Sequence, residues 1–200
     1  GSGKTEIYMQ LIEKVLEKGK RALVLVPEIS LTPQMVDRFL ARFGEIVAVL
    51  HSKLSVGERY DEWNRINNGK AKIVIGARSA IFAPVKDLGL IIIDEEHDSS
   101  YKSEGNPRYD AKEVAAKIAK QNSCPLVLGS ATPSIECYKA FKEGDFELLT
   151  LKNRAVKTSA INEIQLVNTK GSGTIISPSL RKALEDTVDE GKQAILFLNK

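Results

Sequence analysis

At 200 residues, 42% hydrophobic and 28% charged, the chain is neither disordered nor fibrous, and its length suits one domain with part of another. A net charge of +3 permits a nucleic-acid partner without requiring one. Cys124 and Cys137 form no C-x-x-C pair, so neither a zinc site nor a disulfide framework is indicated, and no apolar run nears the ~18 residues that span a bilayer.

In chain order, strand-like and helix-like segments alternate, which predicts βα units and a mainly parallel sheet flanked by helices. Ile7, Leu11, Ile12, Val15 and Leu16 share one helical face after Thr5, and Gly19 is placed to end that helix. Ala22 to Val26 reads as a strand buried on both faces. Thr32-Pro33 supplies N-cap and first residue of a helix striped by Met35, Val36, Phe39, Leu40 and Phe43. Ile46 to Leu50 is the next strand. Ser55 and Glu58 then form a capping box for a helix carrying Tyr60, Trp63 and Ile66. Strands over Ile73 to Ile75 and Leu88 to Ile93 follow, then a helix capped by Asp110. A strand at Leu126 to Leu128, a helix from Pro133 to Phe141 and a strand from Phe146 to Leu151 complete the set.

From Lys152 to Gly173 the pattern weakens to a short strand, Ile164 to Val167, between polar stretches, as expected of an interdomain passage. A helix opened by Ser177-Pro178 and a strand from Gln193 to Leu198 follow. The expected division is residues 1–168 as one lobe and 169–200 as the beginning of a second. Both ends read as cuts through a longer protein. With no signal peptide, the expected location is cytoplasmic, with both thiols reduced and buried in apolar surroundings.

Gly1-Ser2-Gly3-Lys4-Thr5 matches the end of the phosphate loop G-x-x-x-x-G-K-[ST]. Glycines let backbone N–H groups close around a phosphate at a helix N-terminus. Lys4 is then expected on the β- and γ-phosphates of ATP and the Thr5 hydroxyl on Mg²⁺. A flexible glycine-rich terminus is the plainer alternative, which an amphipathic helix at the correct offset disfavours. Some ninety residues on, the strand Leu88 to Ile93 ends in Asp94-Glu95-Glu96-His97-Asp98. A buried strand ending in paired acids is how phosphate-loop ATPases place one carboxylate on the metal (Asp94) and one as base toward the attacking water (Glu95). Alone the acids could be a solvated turn; with the phosphate loop they form two halves of one site.

Gly129-Ser130-Ala131-Thr132-Pro133 leaves another strand end, where the Ser130 and Thr132 hydroxyls can bridge the acids to neighbouring loops. A plain turn with Thr132 as N-cap accounts for the same letters, and both can hold. Two further loops, Pro27 to Gln34 and Gly76 to Ala80, would leave the same sheet edge. There Arg78, Ser79 and backbone N–H groups suit sugar-phosphate contacts. The stretch after the acids interleaves Tyr101 and Tyr109 with Lys102 and Arg108, able to stack on bases and hold phosphates. Tyrosines packed on the domain surface are the alternative.

The combination of GSGKTE, LVPEISLTPQ, LHSKLS, GARSAIFAP, DEEHDSSYK, PRY and GSATPS resembles the primosomal replication-restart DNA helicases of superfamily 2, over nearly the whole chain. The resemblance implies a RecA-like phosphate-loop NTPase lobe plus the start of a second lobe. It also implies a 3′→5′ helicase motor that couples ATP hydrolysis to translocation on single-stranded DNA at forks. His97 would link nucleotide site to coupling segment. Primosome and single-strand-binding proteins are the implied partners. The family's zinc, whose ligands lie outside this chain, and its arginine finger, also outside, are not expected here, so the isolated chain is expected to be inactive. Asp110 departs from the family, where histidine is usual after P-R-Y. Alternatives are another nucleic-acid-dependent ATPase of the superfamily (a translocase or RNA helicase), a small-molecule kinase, or a non-catalytic fragment of a helicase.

Overall fold

A computed structural model describes residues 3–152, 164–168 and 175–198. The chain divides into two compact units, Gly1–Val156 and Lys157–Lys200. The first holds five parallel strands: β1 (Arg21–Leu25), β2 (Val47–Leu50), β3 (Ile73–Gly76), β4 (Leu88–Ile93) and β5 (Leu126–Leu128). Their order is β2-β3-β1-β4-β5. Around them run α1 (Lys4–Glu17), α2 (Pro33–Phe43), α3 (Val56–Asn67), α4 (Ala111–Asn122) and α5 (Ile135–Glu143).

Alternation along each strand feeds two apolar layers. Val24, Ile73, Ile75, Leu90 and Ile92 pack with Tyr8, Met9 and Ile12 of α1 and Phe39 of α2. Leu23, Leu25, Val74, Ile91 and Ile93 pack on the other side with Ile66 of α3 and the alanines of α4. All six residues of β4 are buried, and each isoleucine there stabilises the fold by roughly 1.5–3 kcal/mol. That double burial explains why β4 reads as an unbroken apolar run. Register matters as much as burial. Leu25 pairs with Gly76 and with Ile93, and Ile93 with Leu128, so the loops after β1, β3, β4 and β5 all leave from one edge. In an open parallel sheet that edge is where ligands bind.

The helix starts follow local chemistry. Thr32 accepts from the Met35 N–H with Pro33 as first residue, and Ser55 with Glu58 closes a reciprocal capping box. Asp110 accepts from the Lys112 N–H. In the second unit α6 (Pro178–Asp189) begins at Ser177, whose hydroxyl accepts from the Leu180 N–H.

Several expectations are corrected or refined. Helix α5 starts at Ile135 with Ser134 as N-cap, so Thr132 is not the cap. No strand forms over Phe146–Leu151, Ile164–Val167 or, in its described residues, Gln193–Leu198. An apolar run supplies a face to bury, but a strand also needs an adjacent edge, and the described ladder ends at β5. Tyr60 and Trp63 are 66% and 40% exposed, leaving Ile66 as the buried residue of α3. In α1 the buried positions include Tyr8 and Met9, while Ile7 faces outward.

Candidate nucleotide site

The site is assembled at the common edge of the sheet. Gly1 and Ser2 lie outside the described residues. Gly3 takes φ 87°, a left-handed conformation that glycine adopts without a Cβ penalty, and its carbonyl accepts from the Glu6 and Ile7 N–H groups. Lys4 and Thr5 therefore sit on the first turn of α1. Lys4 Nζ lies 2.8 Å from Glu95 Oε1 and 3.7 Å from Asp94 Oδ1. These residues line a cavity of about 890 Å³ with Thr5, Arg38 of α2 and Ala131, roomy enough for a nucleotide.

Backbone pairing continues past the strand ends and fixes the acids. Asp94 N–H donates to the Leu25 carbonyl, Gly129 N–H to that of Ile93, and Glu96 N–H to that of Gly129. The acidic turn and the Gly129–Thr132 step are thereby joined. Glu95 is held at φ 45°, a conformation costly for a residue with a Cβ and frequent at functional sites. His97 Nδ1 stands 2.7 Å from Ser130 Oγ and 3.7 Å from Glu95 Oε2. Ser130 Oγ also accepts from the Thr132 N–H at 3.0 Å. One continuous set of contacts thus runs from Lys4 through Glu95 and His97 to Ser130. Thr132 joins it by its backbone, its side chain being exposed.

Glu96 turns the opposite way and is 1% exposed. Its carboxylate accepts from Ser134 N–H (2.7 Å), Ser134 Oγ (2.9 Å), Cys137 Sγ (3.0 Å) and Lys112 Nζ (3.0 Å). Burial pushes its pKa up, but the donors of Cys137, Ser134 and Lys112 outweigh that and hold it below the ordinary value. Cys137 is accordingly not in apolar surroundings as expected; its thiol donates to a buried carboxylate.

Two tyrosines support Asp94. Tyr8 Oη donates to Asp94 Oδ1 at 2.8 Å, and Tyr101 Oη donates to the Asp94 carbonyl at 2.6 Å. Burial first, then the Asp94 charge, raises both phenols above their ordinary pKa, so both remain donors. Tyr101 is 0% exposed and is corrected from a base-stacking residue to an internal strut: no base can reach it. Arg78 is corrected in part. Its guanidinium donates to the Ser100 and Lys102 carbonyls (3.1 and 2.7 Å) and lies over the Tyr109 ring at 5.7 Å. It anchors the loop after the acids rather than standing open toward solvent. Tyr109 meets Phe82 edge-on at 5.0 Å and is half-buried, while Ser79, Lys102 and Arg108 are exposed.

Tyr8, Glu96, Lys112, Ser134 and Cys137 were not singled out from sequence. Tyr8 did carry a signal: it falls one turn before Ile12 on the buried stripe of α1, and a buried tyrosine needs a partner for its hydroxyl. Glu96 carried a weaker one, since three adjacent acids cannot all be left without cations.

A model of the DEAD/DEAH box helicase family matches residues 1–141. The chain belongs to that family. It is 59% identical to the replication restart protein PriA of Bacillus subtilis (strain 168) and 47% identical to that of Synechocystis, over the whole of this chain and 25% of each relative. The chain thus spans about a quarter of the length of these relatives. Among solved structures it is similar to the helicase domain of Pyrococcus furiosus Hef, with a TM-score of 0.50 and 30% identity over 67% of this chain and 28% of that one. RecG bound to a three-way DNA junction gives 0.51 and 26% over 72% and 18%. These likenesses agree with the RecA-like lobe expected from the motifs.

Proposed function

We propose that this chain is the ATP-binding lobe of a DNA helicase acting in replication restart, in which ATP hydrolysis drives 3′→5′ movement on single-stranded DNA. The observation that carries the reading is the convergence of Lys4, Asp94 and Glu95 on one cavity, with His97 and Ser130 linked to Glu95 behind it. The donor set fits Mg·ATP. Asp94 and Thr5 line the same cavity, and Mg²⁺ takes one or two protein oxygens plus phosphates rather than a protein cage. Among the described residues no three His, Cys, Asp or Glu side chains cluster in a way that would hold a metal by themselves.

When bound, Mg²⁺ neutralises charge developing on the transferred phosphate. Lys4 would hold phosphate oxygens and give up its present partner Glu95, whose carboxylate then accepts the proton of the attacking water. His97, touching both Glu95 and Ser130, would pass the state of that carboxylate to the Gly129–Thr132 step. The loop after the acids offers the route to DNA. Tyr101 ties its start to Asp94, Arg78 just after β3 holds the same stretch by the Ser100 and Lys102 carbonyls, and Lys102 and Arg108 are exposed beside the half-buried Tyr109. DNA bound there would bias the acids through the loop's shape. The restart assignment, with forked DNA, primosome and single-strand-binding proteins as partners, rests on the PriA relatives.

The test is Glu95→Gln in the full-length protein. Binding of ATP should persist while turnover falls roughly 10²–10⁴-fold, the usual worth of a general base; near wild-type turnover sinks the assignment. Stimulation by forked DNA and not by RNA is expected, and the reverse would favour an RNA helicase.

A further inference from the structure

We propose that Tyr8 and Gly129 form a matched pair that positions the Asp94 carboxylate for Mg²⁺, which makes Tyr8 a positioning residue of the nucleotide site. The proposal rests on Asp94 being the metal-binding carboxylate. Tyr8 reaches Asp94 from below the phosphate loop, one helical turn after Lys4, and donates to Oδ1 at 2.8 Å. Its ring is buried in the layer under α1 and α2. The path of that hydroxyl runs through the space a side chain at position 129 would need. A Cβ on Gly129 would stand 1.6 Å from Tyr8 Oη, 2.9 Å from Tyr8 Cζ and 3.3 Å from Asp94 Oδ1.

The backbone of Gly129 cannot yield, because its N–H donates to Ile93 and its carbonyl accepts from Glu96. Glycine here is therefore required by what passes beside it, since its φ lies outside the left-handed range. A carboxylate at a strand end has a free χ1 and χ2 unless something holds it. Lys4, the cation near Oδ1, stands 3.7 Å away and is closer to Glu95. Tyr8 supplies the short contact. The three chemistry-bearing segments, phosphate-loop helix, acidic strand end and Gly129 step, thus meet at one phenol oxygen.

The pair makes a distinctive prediction in the full-length protein, read by the Mg²⁺ dependence of anisotropy of a fluorescent, non-hydrolysable ATP analogue. Tyr8→Phe keeps the buried ring and removes the donor. The Mg²⁺ concentration giving half-maximal binding should rise about tenfold, the scale of one hydrogen bond to a charged group. Binding without Mg²⁺ should not change. Gly129→Ala should produce a similar or larger shift by displacing the phenol. In the double variant Tyr8→Phe/Gly129→Ala the shift should fall well short of the product of the two, because the 1.6 Å collision is gone. A Tyr8→Phe response within twofold of wild type, or a double variant equal to the product, overturns the proposal.

Asp94→Asn separates this failure from that of the underlying reading. If Asp94→Asn keeps the wild-type Mg²⁺ dependence, the metal assignment itself is wrong. If it loses that dependence while Tyr8→Phe keeps it, only the pairing is wrong.

Discussion

Glu95 and Glu96 are neighbours in the chain and end in opposite environments. Glu95 borders the cavity in a costly backbone conformation, with one lysine as a movable partner. Glu96 is enclosed by a backbone amide, a hydroxyl, a thiol and an ammonium drawn from α4 and the start of α5. The contrast teaches how one tight turn can serve two ends. The side facing the cavity is left short of partners, as the proposed exchange of its lysine for a nucleotide would require. The inward side is fully satisfied, so that the exchange moves little else. Strain stored at Glu95 is tolerable because Glu96 holds the turn in place.

The largest effect should come from breaking the inward side. Glu96→Ala leaves Lys112 without its carboxylate and the Ser134 N–H and hydroxyl without an acceptor. Removing one member of a buried pair costs about 3–5 kcal/mol. An early thermal transition of this lobe is expected, with faster amide exchange at the start of α5. Glu95→Gln, by contrast, should leave both unchanged while lowering turnover roughly 10²–10⁴-fold. Equal thermal stability for Glu96→Ala and Glu95→Gln would remove the distinction.

A smaller effect separates the two by pH. The Glu96 pKa is lowered on folding, so its contribution is fully present above the ordinary carboxylate value near 4.5 and is lost as pH falls through the lower folded value. Acid titration of stability should show this loss in wild type. In Glu96→Gln, which cannot titrate, the slope below about pH 4.5 should flatten. An unchanged slope would mean that Glu96 gains nothing from its donors.

These two residues also show what was legible in the letters. The five strands could be read because parallel strands inside a layered fold are continuous apolar runs, even half-buried β5, and helix starts because Thr32, Ser55, Asp110 and Ser177 are cap chemistry at the correct offset. That Lys4 would meet Asp94 and Glu95 could be read because the spacing of the two motifs makes them halves of one proposed site. Glu96 could not, since its partners Lys112, Ser134 and Cys137 lie 16 to 41 positions away and reach it only through the packing of α4 and the loop after β5 beside the end of β4. Tyr101 failed for the opposite reason. Its polar neighbours made an exposed loop the natural reading, while its ring packs into the apolar layer with Leu25, Ile93 and Ala111 and its hydroxyl is satisfied by the Asp94 carbonyl. The apolar stretches Phe146–Leu151 and Ile164–Val167 read as strands by composition, yet composition cannot supply the edge a strand must join.

Arg78 sharpens the comparison at its outer margin, with the smallest expected change in stability. Two roles compete for it: a phosphate contact at the sheet edge, and an anchor for the loop that follows the acids. Geometry supports the anchor, because one guanidinium reaches two carbonyls, Ser100 and Lys102, and lies over Tyr109. Arg78→Lys separates the roles. Lysine is a good point contact for phosphate. Both bonds come from the one nitrogen Nη1, so lysine could reach the carbonyls, but its ammonium has no planar face to lie over the Tyr109 ring at the same time. As an anchor, Arg78→Lys in the full-length protein should keep DNA affinity within a few-fold and lower stability by about 1 kcal/mol or less. Amide exchange at Ser100 to Lys102 should quicken, and stimulation of ATPase by single-stranded DNA should drop about tenfold, as loss of the contact over the ring implies. Basal turnover should hold, because Tyr101 still ties the loop's base to Asp94. If lysine instead restores full stimulation, and alanine lowers DNA affinity with a shallower salt dependence, Arg78 belongs to the DNA contact and not to the loop.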